Sequence, residues 1–161
     1  EFTPEGLMRW EDLDQETCSV ARTLSVVGDR WTLMVLRECF LGARRFEEFE
    51  SRLGIARHVL ADRLKKLTEA DVLTKVAYQD PPRREEYRLT EKGRDLYPVM
   101  VTLAQWGDKH MAGAEGVPLL RIHNTCGHAT TGHLMCSDCG EELHAKDVSV
   151  KAGPGAVRVR A

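Results

Sequence analysis

Residues 44–89, RRFEEFESRLGIARHVLADRLKKLTEADVLTKVAYQDPPRREEYRL, decide the fold of this chain. They contain a short helical segment closed by Gly54, a second helix predicted over Ile55 to Ala70, and two strand-like segments that flank a Pro81-Pro82 tip. A glycine break of this kind is typical of the sharp turn between two helices. The stretch therefore predicts a helix-turn-helix followed by a two-stranded wing, an arrangement typical of proteins that bind double-stranded DNA.

The second predicted helix is amphipathic. Leu60, Leu64 and Leu67 recur at helical spacing, which predicts that this face packs against the rest of the domain. The other face is free to enter a major groove, where the amino-terminal half of a recognition helix usually meets the base edges. The predicted DNA-contacting residues of this helix are Ala56, Arg57, His58, Ala61, Asp62 and Lys65.

Each of these side chains suggests a different role. Arg57 is the best candidate for reading guanine, because a guanidinium can bond O6 and N7 together. Ala56 and Ala61 are small and permit close approach. His58 could touch a base or a phosphate, or could simply be exposed. Asp62 repels phosphate, so it either accepts from a cytosine amino group or pairs with a nearby arginine, and we favour the pairing.

The tip of the predicted wing carries Arg83 and Arg84 next to two prolines that stiffen the loop. These arginines are expected to contact backbone phosphates or enter a minor groove, which adds affinity more than sequence reading. The alternative is a solvated loop in which they pair with Glu85 and Glu86. The stiff tip and the adjacent positive charges favour the DNA role.

Further helices are predicted on both sides of this stretch. Cys18 to Val27 and Trp31 to Phe40 form two helices, the second of them apolar enough to be interior. A long helix begins at Thr90, and Pro98 within it could kink or divide it. One side of this helix is an apolar stripe that is expected to need a partner, formed by Leu96, Val99, Met100, Leu103 and Trp106.

Several short motifs occur in a characteristic order from Thr17 to His110. They are CSVARTL from Cys18, GDRWTLMVLRE from Gly28, RFEEF from Arg45, VLADRL from Val59, PRREEYRLT from Pro82 and WGD from Trp106. In this order and spacing they resemble the HxlR-type winged-helix transcription regulators, which are MarR-like. The resemblance implies a bacterial, DNA-binding homodimer whose first helix and last long helix form the dimer interface. A pseudo-palindromic DNA site would follow from that symmetry.

A second group of chemically informative residues lies after the region of resemblance. His123 and Cys126, then Cys136 and Cys139 followed by Gly140, have the spacing of a zinc ribbon. Three thiolates and one imidazole suit a tetrahedral structural zinc ion, and the surrounding segment has little apolar material with which to fold. His128 or His133 could replace His123 as the fourth ligand. The alternative is a degenerate ribbon that keeps its fold without metal.

Cys18 is a candidate redox sensor. It stands at the start of the first predicted helix, where the helix dipole is expected to make its thiol more reactive. In the family that the chain resembles, a cysteine at the matching position is associated with redox or electrophile sensing in some members. The alternative is that Cys18 only packs, as we expect for Cys39 among its apolar neighbours.

Composition and charge narrow the class of protein. The 161 residues are 42% hydrophobic and 30% charged, which suits one domain of ordinary core size with an appendage. A formal charge of −2 argues against a protein that coats polyanions generally, although basic residues cluster within 44–89. The acidic first twenty residues do not have the pattern of a signal peptide, and no apolar run is long enough for a membrane span. A cytoplasmic protein is expected.

The predicted fold is mainly α with a small β-wing (α+β), a winged helix-turn-helix plus a small C-terminal zinc-ribbon-like module. Residues 1–16 form an N-terminal arm, 17–112 the DNA-binding and dimerisation domain, 113–150 the module and 151–161 a flexible tail. The expected function is sequence-specific transcriptional regulation. No arrangement of nucleophile and base, and no open metal site, predicts an enzyme. The alternative is a protein-protein adaptor that uses the winged helix as a scaffold and the ribbon for contact.

Overall fold

The computed structural model describes residues 10–15 and 17–156. The elements are, in order, α1 (Ser19–Val27), α2 (Arg30–Phe40), α3 (Phe46–Leu53), α4 (Arg57–Glu69), β1 (Leu73–Gln79), β2 (Arg84–Leu89), α5 (Glu91–Arg94), α6 (Tyr97–Met111), β3 (Ile122–His123) and β4 (His128–Ala129). Short 3-10 turns cover Trp10–Asp12 and Ala145–Asp147. The fold is mainly helical with small antiparallel sheets, as predicted. Most of the predicted arm (1–9 and 16) and residues 157–161 of the predicted tail lie outside the described residues.

The chain forms two compact units, with the break between Asp95 and Leu96. The break falls earlier than the predicted boundary after residue 112, so that α6 belongs to the C-terminal unit. Contacts within that unit explain the difference. The side-chain amide of Gln105 on α6 donates to the carbonyl oxygen of Gly132 at 3.0 Å, and Asp108 on α6 pairs with Arg121 at 3.4 Å.

The N-terminal unit has a packed apolar core. It lies between α2, α3, α4 and the start of β1, and the leucine face predicted for α4 is completely buried. The apolar residues of α1 are not all buried. Val27 is buried, whereas Val20 and Leu24 are 66% and 39% exposed. The largest fully buried side chains are Phe49, Leu36, Leu60, Leu64, Leu67, Leu73, Val35 and Val72.

Polar side chains fix where the helices begin. The Asp29 carboxylate accepts from the backbone N–H groups of Trp31 and Thr32 at 3.0 and 3.1 Å, which caps α2. The Glu48 carboxylate accepts from the N–H groups of Arg44 and Arg45 at 2.8 and 2.9 Å at the start of α3. These contacts satisfy backbone donors that have no partner inside a helix.

The predicted start of α4 was wrong. α4 starts at Arg57 rather than Ile55, because Ile55 is buried in the turn and Ala56 has extended backbone angles. The predicted long helix from Thr90 is divided into α5 and α6, one of the two outcomes expected from Pro98, which stands in the first turn of α6. Proline suits a first turn because it has no N–H to donate, and it cannot continue a preceding helix without losing a hydrogen bond.

Two small antiparallel sheets complete the fold. In the wing, β1 pairs with β2 from Leu73 opposite Leu89 to Gln79 opposite Arg84, with an irregularity between Ala77 and Gln79. In the C-terminal unit, β3 pairs with β4. None of the helices formed by the described residues is long and apolar enough to cross a membrane.

Candidate nucleic-acid interface

The turn between α3 and α4 sets the direction of the second helix. Gly54 has a φ of 58°, a left-handed conformation that favours glycine, and its N–H donates to the carbonyl of Glu50 at 3.0 Å. Ile55 then buries its side chain, and Ala56 turns the backbone into α4. The first residues of α4, Arg57 and His58, are therefore exposed to solvent.

α4 presents a continuous exposed face opposite its buried leucines. All of the DNA-contacting residues predicted on this helix are exposed: Ala56, Arg57, His58, Ala61, Asp62 and Lys65. The structure thus brings them together on one surface, as the helical spacing predicted. Their contact with DNA remains a prediction.

Arg57 is held in place by α3. Its guanidinium forms an ion pair with Glu50 at 2.8 Å and lies over the Phe46 ring, 4.5 Å from the ring centroid. The side chain of Arg57 is nevertheless 66% exposed. An exposed ion pair contributes only about 0–1 kcal/mol, so a guanine or a phosphate could replace Glu50 as the partner. Glu50 and Phe46 are site residues that the sequence reasoning missed, and no sequence signal links them to Arg57.

Asp62 is committed to intramolecular pairs. Its carboxylate accepts from Arg63 at 2.5 Å and pairs with Lys66 at 3.1 Å. The expected pairing with a nearby arginine is confirmed. Arg63 also pairs with Asp29 at 2.8 Å, and this bond joins α4 to the start of α2. Arg63 therefore holds α4 against the start of α2.

The environment of Asp29 stabilises its charged form. Burial raises the pKa of this carboxyl, but the N–H of Thr32, the Arg63 guanidinium and the N–H of Trp31 together hold the pKa below its ordinary value. Asp29 is thus an anion that both caps α2 and anchors α4.

Two other candidates on α4 differ in their contacts. Lys65 pairs with Glu69 at 3.7 Å, one helical turn away, and its side chain is 72% exposed. His58 is exposed and has no hydrogen-bond partner among the residues that the structure describes. Both side chains are available to an approaching phosphate.

The wing arginines are not equivalent. Arg83 pairs with Glu85 at 3.0 Å, which is one of the contacts expected for a solvated loop. Arg84 has no such partner within the described part of the chain. Of the two residues, Arg84 is therefore the more available cation.

Aromatic and backbone contacts fix the wing to α3. The Arg45 guanidinium lies 4.6 Å from the centroid of the Tyr78 ring on β1. On β2, the N–H of Tyr87 donates to the carbonyl of Arg44 at 2.7 Å, and its ring meets Phe49 edge-on at 6.4 Å. The sequence reasoning did not identify Tyr78 and Tyr87 as residues that position the wing. The only signal for them was their place in the two predicted strands.

The cysteines of the N-terminal unit lie in contrasting surroundings. Cys18 is exposed, and it is the residue that precedes the first turn of α1. Burial raises the pKa of the Cys39 thiol to about 12, which keeps it protonated and unreactive. Cys39 is half-buried rather than part of the fully buried core.

In the C-terminal unit the predicted zinc ligands form two pairs. The Cys126 Sγ lies 3.5 Å from the Nδ1 of His123. Cys136 and Cys139 are hydrogen-bonded to each other, and the pKa of Cys136 is lowered by the N–H groups of Cys139 and Asp138, by the Cys139 side chain and by the N–H of Gly140. Within the described residues, no three potential ligands are close enough to hold one metal ion. The zinc site stays a prediction.

The helix-turn-helix, its exposed helix and the attached two-stranded wing together define a winged helix-turn-helix domain. A sequence profile described as HxlR-like helix-turn-helix matches residues 26–115. The chain belongs to this family, as the sequence motifs indicated.

Individual relatives match different lengths of the chain. The chain is 47% identical over 137 residues to Rv3095 of Mycobacterium tuberculosis, an uncharacterised HTH-type transcriptional regulator, covering 85% of this chain and 87% of the relative. It is also similar to the solved structure of PA1607, a candidate transcription factor, with 35% identity, a TM-score of 0.79 and coverage of 87% and 98%. Alignments of this length must extend beyond α6, so these relatives share part of the C-terminal unit.

A shorter relative matches less of the chain. The oxidised form of the redox regulator HypR is 30% identical with a TM-score of 0.55, and it covers 60% of this chain and 100% of its own. HypR therefore has no counterpart to about two fifths of this chain.

Proposed function

We propose that this protein is a sequence-specific, double-stranded-DNA-binding transcriptional regulator that acts as a homodimer. α4 lies in the major groove, and the wing lies on the backbone or in the minor groove. The observation that carries the proposal is the exposed face of α4, which presents Arg57 and His58 between the small Ala56 and Ala61 while the opposite face is fully buried. Membership of a helix-turn-helix family supports it.

Arg57 reads a guanine in each half-site. The cation–π contact with Phe46 and the ion pair with Glu50 hold its guanidinium near the first turn of α4, so that little side-chain freedom is lost on binding. Ala56 and Ala61 leave room for the base edges. Asp62 does not read a base in this proposal, since its carboxylate is paired with Arg63 and Lys66.

Arg84 supplies the main phosphate contact of the wing. Arg83 adds to it after exchanging Glu85 for a phosphate. Lys65 contacts the backbone from the flank of α4. These contacts add affinity for any sequence and make binding depend on salt.

Exposed apolar residues on two helices support a homodimer. Val20 and Leu24 are exposed on α1, and α6 has no buried residue at all. On α6, Val99, Leu103 and Trp106 are spaced so that they lie on one side, and Trp106 is 60% exposed. Burying such side chains against a second copy is favourable. A symmetric dimer would place two α4 helices about 34 Å apart, on a pseudo-palindromic site.

Cys18 makes the regulator responsive to oxidants. Its thiol is exposed at the start of α1, a helix of the proposed dimer interface. The similar protein HypR is a redox regulator. Oxidation of Cys18 would therefore alter the interface and, through it, the spacing of the two recognition helices.

Fluorescence anisotropy with the DNA upstream of this protein's own gene tests the proposal, with unrelated DNA as competitor. Arg57→Ala is expected to relax base preference at one position of each half-site and cost about 1–3 kcal/mol there. Arg84→Ala is expected to weaken binding to all sequences and lower the salt dependence by about one phosphate contact. Lys151→Ala, in the exposed tail, is the matched charge control.

The outcomes distinguish the assignments. Uniform loss in both variants would contradict the role of Arg57 as a base reader. If the wild-type chain shows no specific binding to this or any selected sequence, the adaptor function replaces the proposal. Loss of specific binding on oxidation in the wild type but not in Cys18→Ser would support the redox role.

Sedimentation tests the dimer separately. Trp106→Glu is expected to shift the protein to monomer, because the charge cannot be buried in an apolar interface. Ser149→Glu, on an exposed residue outside α1 and α6, is the control and should leave the dimer intact. A wild-type protein that sediments as a monomer at micromolar concentration would contradict the homodimer.

A further inference from the structure

The C-terminal unit contains two turns with the same design. The first knuckle is residues 121–130 and the second is residues 134–143. A shift of 13 positions places His123 on Cys136, Cys126 on Cys139 and Gly127 on Gly140. The potential ligands therefore stand at equivalent places in an internal repeat.

The backbone follows the same repeat. In the first knuckle the N–H of Gly127 donates to the carbonyl of His123 at 2.7 Å, and in the second the N–H of Gly140 donates to the carbonyl of Cys136 at 3.0 Å. The two glycines have φ angles of 74° and 77°, the left-handed region that favours glycine. A tight turn of this form brings its two ligand side chains to one side.

The ends of the knuckles close identically. The N–H of Thr130 donates to the carbonyl of Arg121 at 2.8 Å, and the N–H of Leu143 donates to the carbonyl of Leu134 at 2.7 Å. Each pair is again related by the 13-residue shift. Two equivalent turns, each holding two donors, amount to four ligands for one tetrahedral ion.

From this repeat we infer that His123, Cys126, Cys136 and Cys139 together bind one structural Zn²⁺ ion. The structure forms each pair within its own knuckle, and the ion requires the two pairs to approach each other. On binding, the three thiols lose their protons to solvent and the imidazole binds in its neutral form. No position is left for a substrate, so the ion is structural.

Contacts of the other histidines favour His123 as the fourth ligand. Both ring nitrogens of His133 are engaged, Nδ1 with Glu142 at 2.9 Å and Nε2 with the Thr131 hydroxyl at 3.2 Å. His128 lies in β4, directly opposite His123 in the sheet, and the 13-residue shift places it on Glu141 rather than on Cys136 or Cys139. His123 alone has both the repeat position and a thiol partner at 3.5 Å.

The ion would hold together a unit that has little else to stabilise it. No described side chain after Gly93 is buried. The link between the knuckles contains Gly132, whose carbonyl accepts from Gln105 of α6, and the first knuckle contributes Arg121 to the pair with Asp108. Joining the knuckles fixes both of these contacts at once, so that zinc is expected to keep this part of the chain folded on α6.

Metal analysis of the full-length chain, purified under reducing conditions, tests the inference. We expect about one zinc ion per chain. Cys126→Ser, Cys136→Ser, Cys139→Ser and His123→Ala should each lower the zinc content. Cys18→Ser and His133→Ala are the matched controls and should keep it. Replacement of zinc by cobalt should give a sulfur-to-cobalt charge-transfer band that weakens in each cysteine variant of the site.

Limited proteolysis gives a second measurement that does not depend on the yield of metal. A chelator should increase cleavage within residues 113–150 several-fold and leave the N-terminal unit resistant. A chain that contains no zinc, gains none when it is added and shows no change with chelator would overturn the inference. Retention of zinc in His123→Ala with loss in His128→Ala would overturn the assignment of His123. None of these results depends on DNA binding.

Discussion

The two units of this chain reach a folded state in different ways. In the N-terminal unit, side chains from α2, α3, α4 and β1 are removed almost completely from water, among them Phe49 and Leu64. In the C-terminal unit no described residue is buried, and Leu119 and Leu120 are 56% and 70% exposed. Turn hydrogen bonds and one ion pair with α6 take the place of a core.

This difference explains why the two units carry different kinds of site. Apolar burial provides most of the favourable free energy of folding, and the N-terminal unit uses it to hold an exposed helix in a fixed direction. A segment without a core requires a metal ion, a disulfide or a partner. The proposed zinc ion and the proposed dimer would supply what burial does not.

The largest expected effect tests the core of the N-terminal unit. Leu64→Ala should lower the free energy of unfolding by about 2–5 kcal/mol, because the side chain is fully buried and leaves a cavity. Urea denaturation followed by near-ultraviolet circular dichroism measures the change. A loss below about 1 kcal/mol would mean that the core is looser than the burial indicates.

A glycine at the end of the same unit gives the next largest effect. A Cβ at Gly93 would lie 2.2 Å from the backbone oxygen of Val72, whereas one at Gly113 would have no atom within 4 Å. Gly93→Ala should therefore destabilise the protein by about 1–3 kcal/mol, as overpacking does. Gly113→Ala is the control, and thermal melts should place it near the wild type. Equal melts for both variants would contradict the tight contact between Gly93 and Val72.

Asp29→Ala is expected to cost about 1–2 kcal/mol, the usual effect of losing a helix cap. The substitution also removes the ion-pair partner of Arg63. Chemical denaturation at neutral pH measures the loss, and Asp14→Ala, on an exposed residue, serves as the control.

The stability lost in Asp29→Ala is expected to depend on pH. The folded pKa of Asp29 lies below its ordinary value of 3.8, so the folded state holds this proton less tightly than the unfolded state. Its contribution to stability is therefore fully present above 3.8 and is lost as the pH falls through the lower, folded pKa. The difference between wild type and Asp29→Ala should shrink in that range. A constant difference would show that the carboxylate charge plays no part.

The smallest effect is expected for a leucine in the C-terminal unit, where the substitution is the same as in Leu64→Ala. Leu120→Ala should change the free energy of unfolding by less than about 0.5 kcal/mol, since an exposed side chain loses little on truncation. The measurement is the same urea denaturation. A loss above about 2 kcal/mol would show that Leu120 is covered in solution and that the contrast between the units is weaker than described.

The fold of the N-terminal unit was largely predictable because each element carries its own signals. The bounds of α3 follow from the apolar spacing before Gly54, and the buried face of α4 follows from its leucines. The grouping of α6 with the C-terminal unit was not predictable. It depends on the bond from Gln105 to Gly132 and the pair of Asp108 with Arg121, and such distant polar contacts leave no periodic pattern.

The candidate site divides in the same way. Helical spacing was enough to place the exposed residues of α4 on one face. The ion pairs that distinguish Arg83 from Arg84, and the support of Arg57 by Glu50 and Phe46, depend on side-chain geometry between elements. The charged residues can be read from the sequence, but which of them form ion pairs cannot.

Most basic side chains around α4 and the wing already have carboxylate partners within the chain. The pairs are Arg57 with Glu50, Arg63 with Asp29 and Asp62, Lys65 with Glu69, Lys66 with Asp62, Arg83 with Glu85, and both Arg44 and Arg88 with Glu86. These acids act as built-in counterions. When a phosphate displaces such an acid, the freed carboxylate stays close by and attracts a cation from solution. This uptake offsets one of the cations that the DNA releases on binding, so that the net release is smaller. Ionic strength should therefore tune DNA affinity more weakly than the number of arginines and lysines suggests.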